Sequence, residues 1–323
     1  DNDVAGVQIN RFCASGLEAV NLAAQKVRSG WEDIVVAGGV ESMSRVQIGS
    51  DGGAVYTDPT VGARYPYIPN GVAADLMAAL AGITREQVDA YAVESQRRAT
   101  EAVESGCFDA SLVAVRDRLD AIVLARDEAH RPGTTMADLA KLPPAFDKAG
   151  AAGYSAIVLR RYPQLERIEP IHTGGNSSGI VDGACAVLLG SAAFGQRNGL
   201  RARARIRAAA SCADEPLLSL GGPLPVTRKT LAQAGMAISD VDLFEVNEAF
   251  AVVPMLYGRH FDIDPTRINV NGGAIALGHP LGATGGILLG TLLDELERRQ
   301  LSTGLVTLCA AAGQSTAMII ERV

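Results

Sequence analysis

The sequence has no C-x-x-C pair, and its five cysteines, Cys13, Cys107, Cys185, Cys212 and Cys309, are odd in number and far apart. Neither a disulfide framework nor a cysteine-based zinc site follows from such spacing, no metal site is expected, and a reducing, cytoplasmic compartment fits best. A basic region followed by an apolar run and a cleavage site is missing from the N-terminus, so no secretion signal is read there. Uninterrupted apolar runs are missing too. The longest candidate, residues 272–293, is broken by repeated glycines and by His279-Pro280, which predicts a packed turn and helix rather than a membrane span. Basic residues are in deficit, 29 against 36 acidic, and the net charge of -7 removes any general attraction to nucleic acid or anionic membranes. The one local exception is Arg201, Arg203, Arg205 and Arg207, alternate positions that give a strand one basic face, either solvated or turned to an anionic ligand.

What is present is core-building material. Of 323 residues, 48% are hydrophobic, and 35 glycines are dispersed in short clusters, the composition of a globular α/β protein too long for one simple core. Residues 4–10 read as a strand, 11–16 as a tight turn and 17–28 as a helix, so that Cys13 is presented between strand and helix. Asp33–Ala37 reads as a buried strand ending in Gly38-Gly39. From about Ile48 the character changes to turns rich in Gly, Pro and Tyr and to helical periodicity near 71–80 and 85–105, followed by a loop-rich stretch at 127–153. The chain then returns to core-like sequence at Cys185–Leu189. The last third repeats the first. Strands are predicted at 203–209, 241–246, 267–271, 304–308 and 316–320, and helices at 248–257 and after His279. This is a weak internal duplication, two α/β halves with their small-residue turns facing one cleft. The boundaries are residues 1–48 with 179–199 for one half, 49–178 for an inserted loop or lid domain, and 200–323 for the other half.

Four residues carry chemical promise. Cys13 lies in a turn of small residues before a helix, where the positive end of the helix dipole favours thiolate; a buried structural cysteine is the plainer reading. His279, between Gly278 and Pro280, is framed by a glycine-rich turn that lets backbone approach a ligand, and its imidazole can take a proton from a thiol. Cys309 ends a strand before Ala310-Ala-Ala-Gly313, whose small side chains leave backbone N–H groups accessible. Asn247 opens Asn247-Glu-Ala-Phe250, where an ordinary N-cap competes with catalysis.

Taken together, Cys13-Ala-Ser-Gly16, Asn247-Glu-Ala-Phe-Ala251, the run from Asn271 through His279-Pro280 to Gly285, and Cys309 before small residues make the chain resemble a thiolase, a 3-ketoacyl-CoA thiolase or acetyl-CoA acetyltransferase. Similar segments run end to end, among them Gly38–Ser44, Asp127-Glu128 with Arg131, Leu142–Phe146, and Gly175–Gly179 with Asp182-Gly183. The resemblance implies a duplicated five-layer α-β-α-β-α architecture with an inserted loop domain. It implies an acyltransferase of the kind used in fatty-acid β-oxidation, which carries the acyl group on Cys13, activates that thiol with His279 and moves protons with Cys309. One oxyanion hole would pair His279 with a water held by Asn247; a second would use the backbone N–H groups of Cys13 and Ala311. Ser178, Phe146, Phe250 and Arg131 would contact coenzyme A, a substrate rather than a cofactor, with no other cofactor required. Acyl-CoA and coenzyme A are the expected partners, and a homodimer or homotetramer is the expected assembly.

Departures from the family pattern are also legible. Thiolases carry two further strands and helices before the nucleophile, so a piece of a longer chain is one expectation. Alanines stand at 310–312 where the family has glycines, and residues 151–170 are additional. The family's His-Met pair has no match near Tyr67–Asp75, which leaves acyl-chain preference open. Two alternatives follow. A ketoacyl-synthase-like condensing enzyme would need two framed histidines, and His130, His172 and His260 lack the setting of His279. A catalytically impaired acyl-CoA or lipid-binding protein would not need both Cys13 and Cys309.

Overall fold

The computed structural model describes residues 2–50 and 52–323. In chain order its main elements are helix α1 (Ser15–Ser29), strand β1 (Ile34–Ser42), helices α2 (Asn70–Ala81) and α3 (Arg85–Glu104), strands β2 (Asp182–Gly190) and β3 (Ala204–Ala213), helix α4 (Pro223–Ala234), strand β4 (Leu243–Val246), helices α5 (Val252–Phe261) and α6 (Leu281–Arg298), and strands β5 (Thr303–Ala310) and β6 (Gln314–Arg322). Local signals set several boundaries. α1 carries Glu18 in its first turn and Lys26 and Arg28 in its last, matching the helix dipole, and Gly30 closes it at φ 77° with its N–H on Val27 O. α3 opens on a capping box in which Thr84 and Gln87 exchange side-chain and backbone bonds.

Strands β1 and β2 pair antiparallel, and the second sheet runs β3-β6-β5-β4, with β4 parallel to β5 and the other pairs antiparallel. A repeat is therefore visible in the topology: α1-β1-β2 matches α6-β5-β6, each a helix followed by an antiparallel pair. Residues 311–313 join the strands of the second copy, whereas residues 43–181, including α2 and α3, intervene in the first. Helices α1 and α6 lie between the sheets, where Leu17, Val20, Leu289 and Leu292 meet Ala37 on one side and Val306 and Met318 on the other. α4 covers the outer face of the four-stranded sheet, with Val226 against Ala210 and Ala317. On the far face of β1 and β2, Val36, Val40 and Leu188 are exposed.

Two predicted strands do not form. Residues 4–10 pair with no strand among the described residues, and Val4 and Val7 are 79% and 80% exposed; alternation alone does not make a strand without a ladder partner. Residues 267–271 form a short 3-10 turn and isolated bridges, because Asn269 takes a left-handed φ of 47° and turns the chain. The helix expected from Glu248 begins only at Val252.

Candidate active site

The site is assembled by two helix starts. Cys13 stands two residues before α1 and His279 two residues before α6. The turn ahead of α1 is tied by Arg11 N–H to Ser15 Oγ (2.8 Å) and Ser15 Oγ–H to Phe12 O (2.7 Å), and it holds Phe12 at φ 49°. The two starts are packed backbone to backbone: a Cβ at Gly16 would lie 2.5 Å from Gly282 O, and one at Gly285 2.3 Å from Leu17 N. Only glycine permits that approach. It brings Leu281 onto the small cluster of Cys13, Ala14 and Ala310, the last at the end of β5 beside Cys309.

Burial dominates the electrostatics here. It pushes the Cys13 thiol up to about 12, partly offset by its own backbone N–H and reinforced by Glu41, whose Oε2 accepts from Gly282 N at 3.0 Å. At Cys13 desolvation thus opposes the thiolate that a helix start favours. Burial also raises the Cys309 thiol, and the next cause is Cys13 itself, which puts the two thiols within electrostatic reach. His279 is pushed down to about 4 by burial. The free site accordingly holds a neutral thiol and a neutral imidazole.

The imidazole is oriented at both nitrogens. Asn247 Nδ2 lies 3.4 Å from His279 Nε2 and Thr284 Oγ1 2.6 Å from Nδ1; the tautomer protonated at Nδ1 satisfies both contacts and leaves Nε2 without a proton. Asn247 is not an N-cap, since α5 starts five residues later. Its backbone N–H bonds Thr307 O on β5, and its Oδ1 is buried with no partner among the described residues, an acceptor free for a water or a substrate donor. Cys13, His279, Cys309 and Asn247 thus sit on adjoining, mutually packed elements.

The expected coenzyme A contacts divide. Phe146 and Phe250 meet edge to face with centroids 5.6 Å apart, and Ser178 N–H bonds Ala249 O, so these three share one place. Arg131 is exposed and donates its backbone N–H to Gln96 Oε1 on α3; it shares no described contact with the other three. Ala311 is buried in the turn after β5, and Ala312 beside it takes φ 60°, a left-handed conformation that costs a non-glycine residue about 1 to 3 kcal/mol. The additional residues 151–170 fold partly as a helix, Ser155–Arg161, and pack Val158 on Ile68, Val72 and Leu76; with Phe146 and Asp75 they line a pocket of about 190 Å³. The alternating arginines are largely neutralised: Arg203 pairs with Asp294 and Glu297, and Arg205 and Arg207 with Glu321. Among the described residues no cluster of His, Cys, Asp or Glu is arranged to hold a metal ion, and no helix is long and apolar enough to cross a membrane.

Two residues escaped the sequence reading, and a third, His172, was weighed there and set aside. Glu248 is buried and accepts from Tyr91 Oη, Ser95 Oγ, Asn269 Nδ2 and Ile275 N, tying α3 to the loops that carry Asn247 and His279. Thr284 fixes the His279 ring, and its place inside the glycine-rich run was the available clue. His172 is fully buried, bonds Asp75 Oδ1 through Nδ1 at 2.7 Å and stands edge-on to Phe250 with centroids 5.4 Å apart, a setting its flanking sequence does not announce.

The chain is similar to known proteins. Residues 1–157 match the thiolase N-terminal domain and residues 200–322 the thiolase C-terminal domain. An acetyl-CoA acetyltransferase of Escherichia coli is 39% identical over 99% of this chain and 80% of that protein; a 3-ketoacyl-CoA thiolase of Colwellia psychrerythraea is 37% identical over 99% and 79%. The crystal structure of the Bacillus anthracis acetyl-CoA acetyltransferase superposes with a TM-score of 0.84 at 33% identity, covering all of this chain and 80% of that one. With the duplicated fold, the two domain matches and near-complete coverage in agreement, the chain belongs to the thiolase family and is an acyltransferase of the thiolase type.

Proposed function

We propose that the chain cleaves 3-ketoacyl-CoA with coenzyme A to acetyl-CoA and a shortened acyl-CoA, or runs the reverse Claisen condensation, through an acyl thioester on Cys13. The observation that carries this reading is the packing of the Cys13 and His279 helix starts against Ala310 at the end of β5, next to Cys309. As the Cys13 sulfur attacks the 3-keto carbon, its proton passes to His279 Nε2. The neutral ground state of both groups makes that transfer part of the attack rather than a prior step, and the new Nε2–H then faces developing negative charge. The tetrahedral alkoxide is held by the backbone N–H groups of Cys13 and Ala311. Its collapse breaks the bond between C2 and C3, and the electron pair moves to the thioester enolate of the departing acetyl unit. Asn247, through a water, and His279 hold that enolate oxygen while the Cys309 thiol protonates C2. The Cys309 thiolate next takes the proton of incoming coenzyme A, whose sulfur displaces Cys13; the Cys13 thiolate regains its proton from His279.

Phe146, Phe250 and Ser178 would guide the pantetheine arm, supported by their shared position. Arg131 would meet a more distant part of coenzyme A. The exposed apolar face of β1 and β2 supports assembly as a homodimer or homotetramer, and five free cysteines support a reducing, cytoplasmic setting. No cofactor beyond the coenzyme A substrate enters these steps.

The test is coenzyme A-dependent consumption of acetoacetyl-CoA and of a longer 3-ketoacyl-CoA, with intact mass read after brief exposure to either. We expect turnover and an acyl adduct, both lost in Cys13→Ser. A well-folded protein with neither activity nor adduct would instead be an acyl-CoA-binding member of its family.

A further inference from the structure

Outside glycine, the described residues at positive φ are Phe12, Asp120, Ser219, Asp262, Asn269, Gln300 and Ala312. Asp and Asn tolerate this region through local hydrogen bonds, and Gln300 lies just past the end of α6. The remaining three stand beside the chemistry: Phe12 precedes Cys13, Ala312 lies three residues after Cys309, and Ser219 touches Ala312. Each costs about 1 to 3 kcal/mol and persists only where its surroundings hold it. What holds Ala312 is Ser219. The Ala312 N–H donates to Ser219 Oγ at 3.2 Å and the Gly313 N–H to Ser219 O at 3.1 Å. Ser219 is itself buried, at φ 51°, in a tight turn where Leu220 N–H bonds Leu218 O. Its hydroxyl proton goes to Asn70 Oδ1 at 2.8 Å, on the first turn of α2. Since a hydroxyl has one proton, the donation to Asn70 leaves an oxygen lone pair for Ala312. Glycine would occupy φ 51° without strain, so the distinctive property of serine here is its hydroxyl.

We propose that Ser219, oriented by Asn70, is a positioning residue: it clamps the 311–313 turn so that the Ala311 N–H is fixed as a donor to the acyl oxygen on Cys13. This deepens the acyl-transfer reading and rests on it. One link in the chain of bonds comes from the intervening segment, Asn70, and one from the C-terminal half, Ser219, so the segment that includes α2 reaches the reacting turn through a single hydroxyl.

The experiment compares the full chain with Ser219→Gly, Asn70→Leu and Asn70→Asp. Read out are kcat and KM for acetoacetyl-CoA, the melting temperature, and the isotope-edited infrared carbonyl band of the acetyl group on Cys13. Ser219→Gly removes the hydroxyl and relieves the strained φ, so folding is kept. Its kcat is expected to fall ~10- to 100-fold with KM changed by less than about threefold, below the loss seen when an oxyanion donor is deleted outright. Its acyl carbonyl band is expected to move to higher frequency, as a weaker hydrogen bond requires. Asn70→Leu should show the same signature at smaller amplitude, and Asn70→Asp, which keeps the acceptor, should restore both rate and band. A Ser219→Gly protein with the parent kcat and carbonyl band would overturn the proposal, as would a loss confined to KM. If Ser219→Gly fails to fold, the Asn70 pair decides in the same terms. Absence of any acetyl adduct on the unaltered protein would instead bring down the acyl-transfer reading, and this inference with it.

Discussion

His279 and Cys13 are each held in the neutral form by burial, and this has a measurable effect on stability. With His279 at about 4 in the fold against 6.5 when unfolded, the unfolded chain binds a proton that the native state refuses across that interval, so stability falls as pH drops from 6.5 to 4. The loss attributable to this one ring is at most about 3 kcal/mol. Cys13 acts at the other end: its unfolded thiol ionises near 9 while the native one waits until about 12, so stability falls as pH rises through that range. Urea midpoints at pH 7.5 and 5 should differ less in His279→Gln than in the parent; equal differences in the two proteins would refute the assignment. The residues of the proposed site stood out in the sequence because their setting is local: a small-residue turn before a helix for Cys13, a glycine frame for His279, a strand end for Cys309. Glu248, His172 and Ser219 were not, because their partners Tyr91, Asp75 and Asn70 lie 157, 97 and 149 positions away in the chain, where no spacing rule reaches.

The contact between α1 and α6 is the element-scale feature on which the site depends, and glycine makes it possible. Adding one methyl at Gly285 drives a carbon into Leu17 backbone, which neither helix can yield to without separating. Gly285→Ala is expected to destabilise by roughly 2 to 3 kcal/mol and to depress kcat, because Cys13 and His279 ride on the two helices being parted. One and a half turns further along α6, a Cβ at Gly290 meets nothing within 4 Å, and Gly290→Ala is expected to stabilise by about 0.5 to 1 kcal/mol with kcat unchanged. Thermal melts and initial rates on the two variants separate contact from helix propensity; a harmless Gly285→Ala would mean that the helix starts are not in register as described. At this scale periodicity found α1, α2, α3 and five strands, since each buries a regular face. It failed at residues 4–10 and 267–271, where alternating apolar residues have no continuous strand to pair with.

As a whole, the molecule presents a two-stranded sheet that is apolar on both faces: Ala37, Val187 and Leu189 turn inward, while Val36, Val40 and Leu188 turn to solvent. A sheet of that pattern is built to be covered on both sides. Val40→Lys combined with Leu188→Glu should therefore lower the mass measured by light scattering relative to the parent, while a parent already monomeric at micromolar concentration would remove the assembly from the reading. The duplication was legible from the recurrence of a small-residue turn, a helix and a following strand, although the strands expected ahead of both turns do not form; the pairing of β1 with β2 was not legible, because the two halves of that hairpin are separated by residues 43–181. The same separation bears on the order in which the chain acquires structure. The β5–β6 hairpin closes over residues 311–313, its counterpart over more than a hundred residues, and the difference in loop-closure entropy is roughly 3 kcal/mol. Two units of like topology are therefore expected to form at different times: the C-terminal copy, with Cys309 at its turn, first, and the half that carries Cys13 afterwards against it.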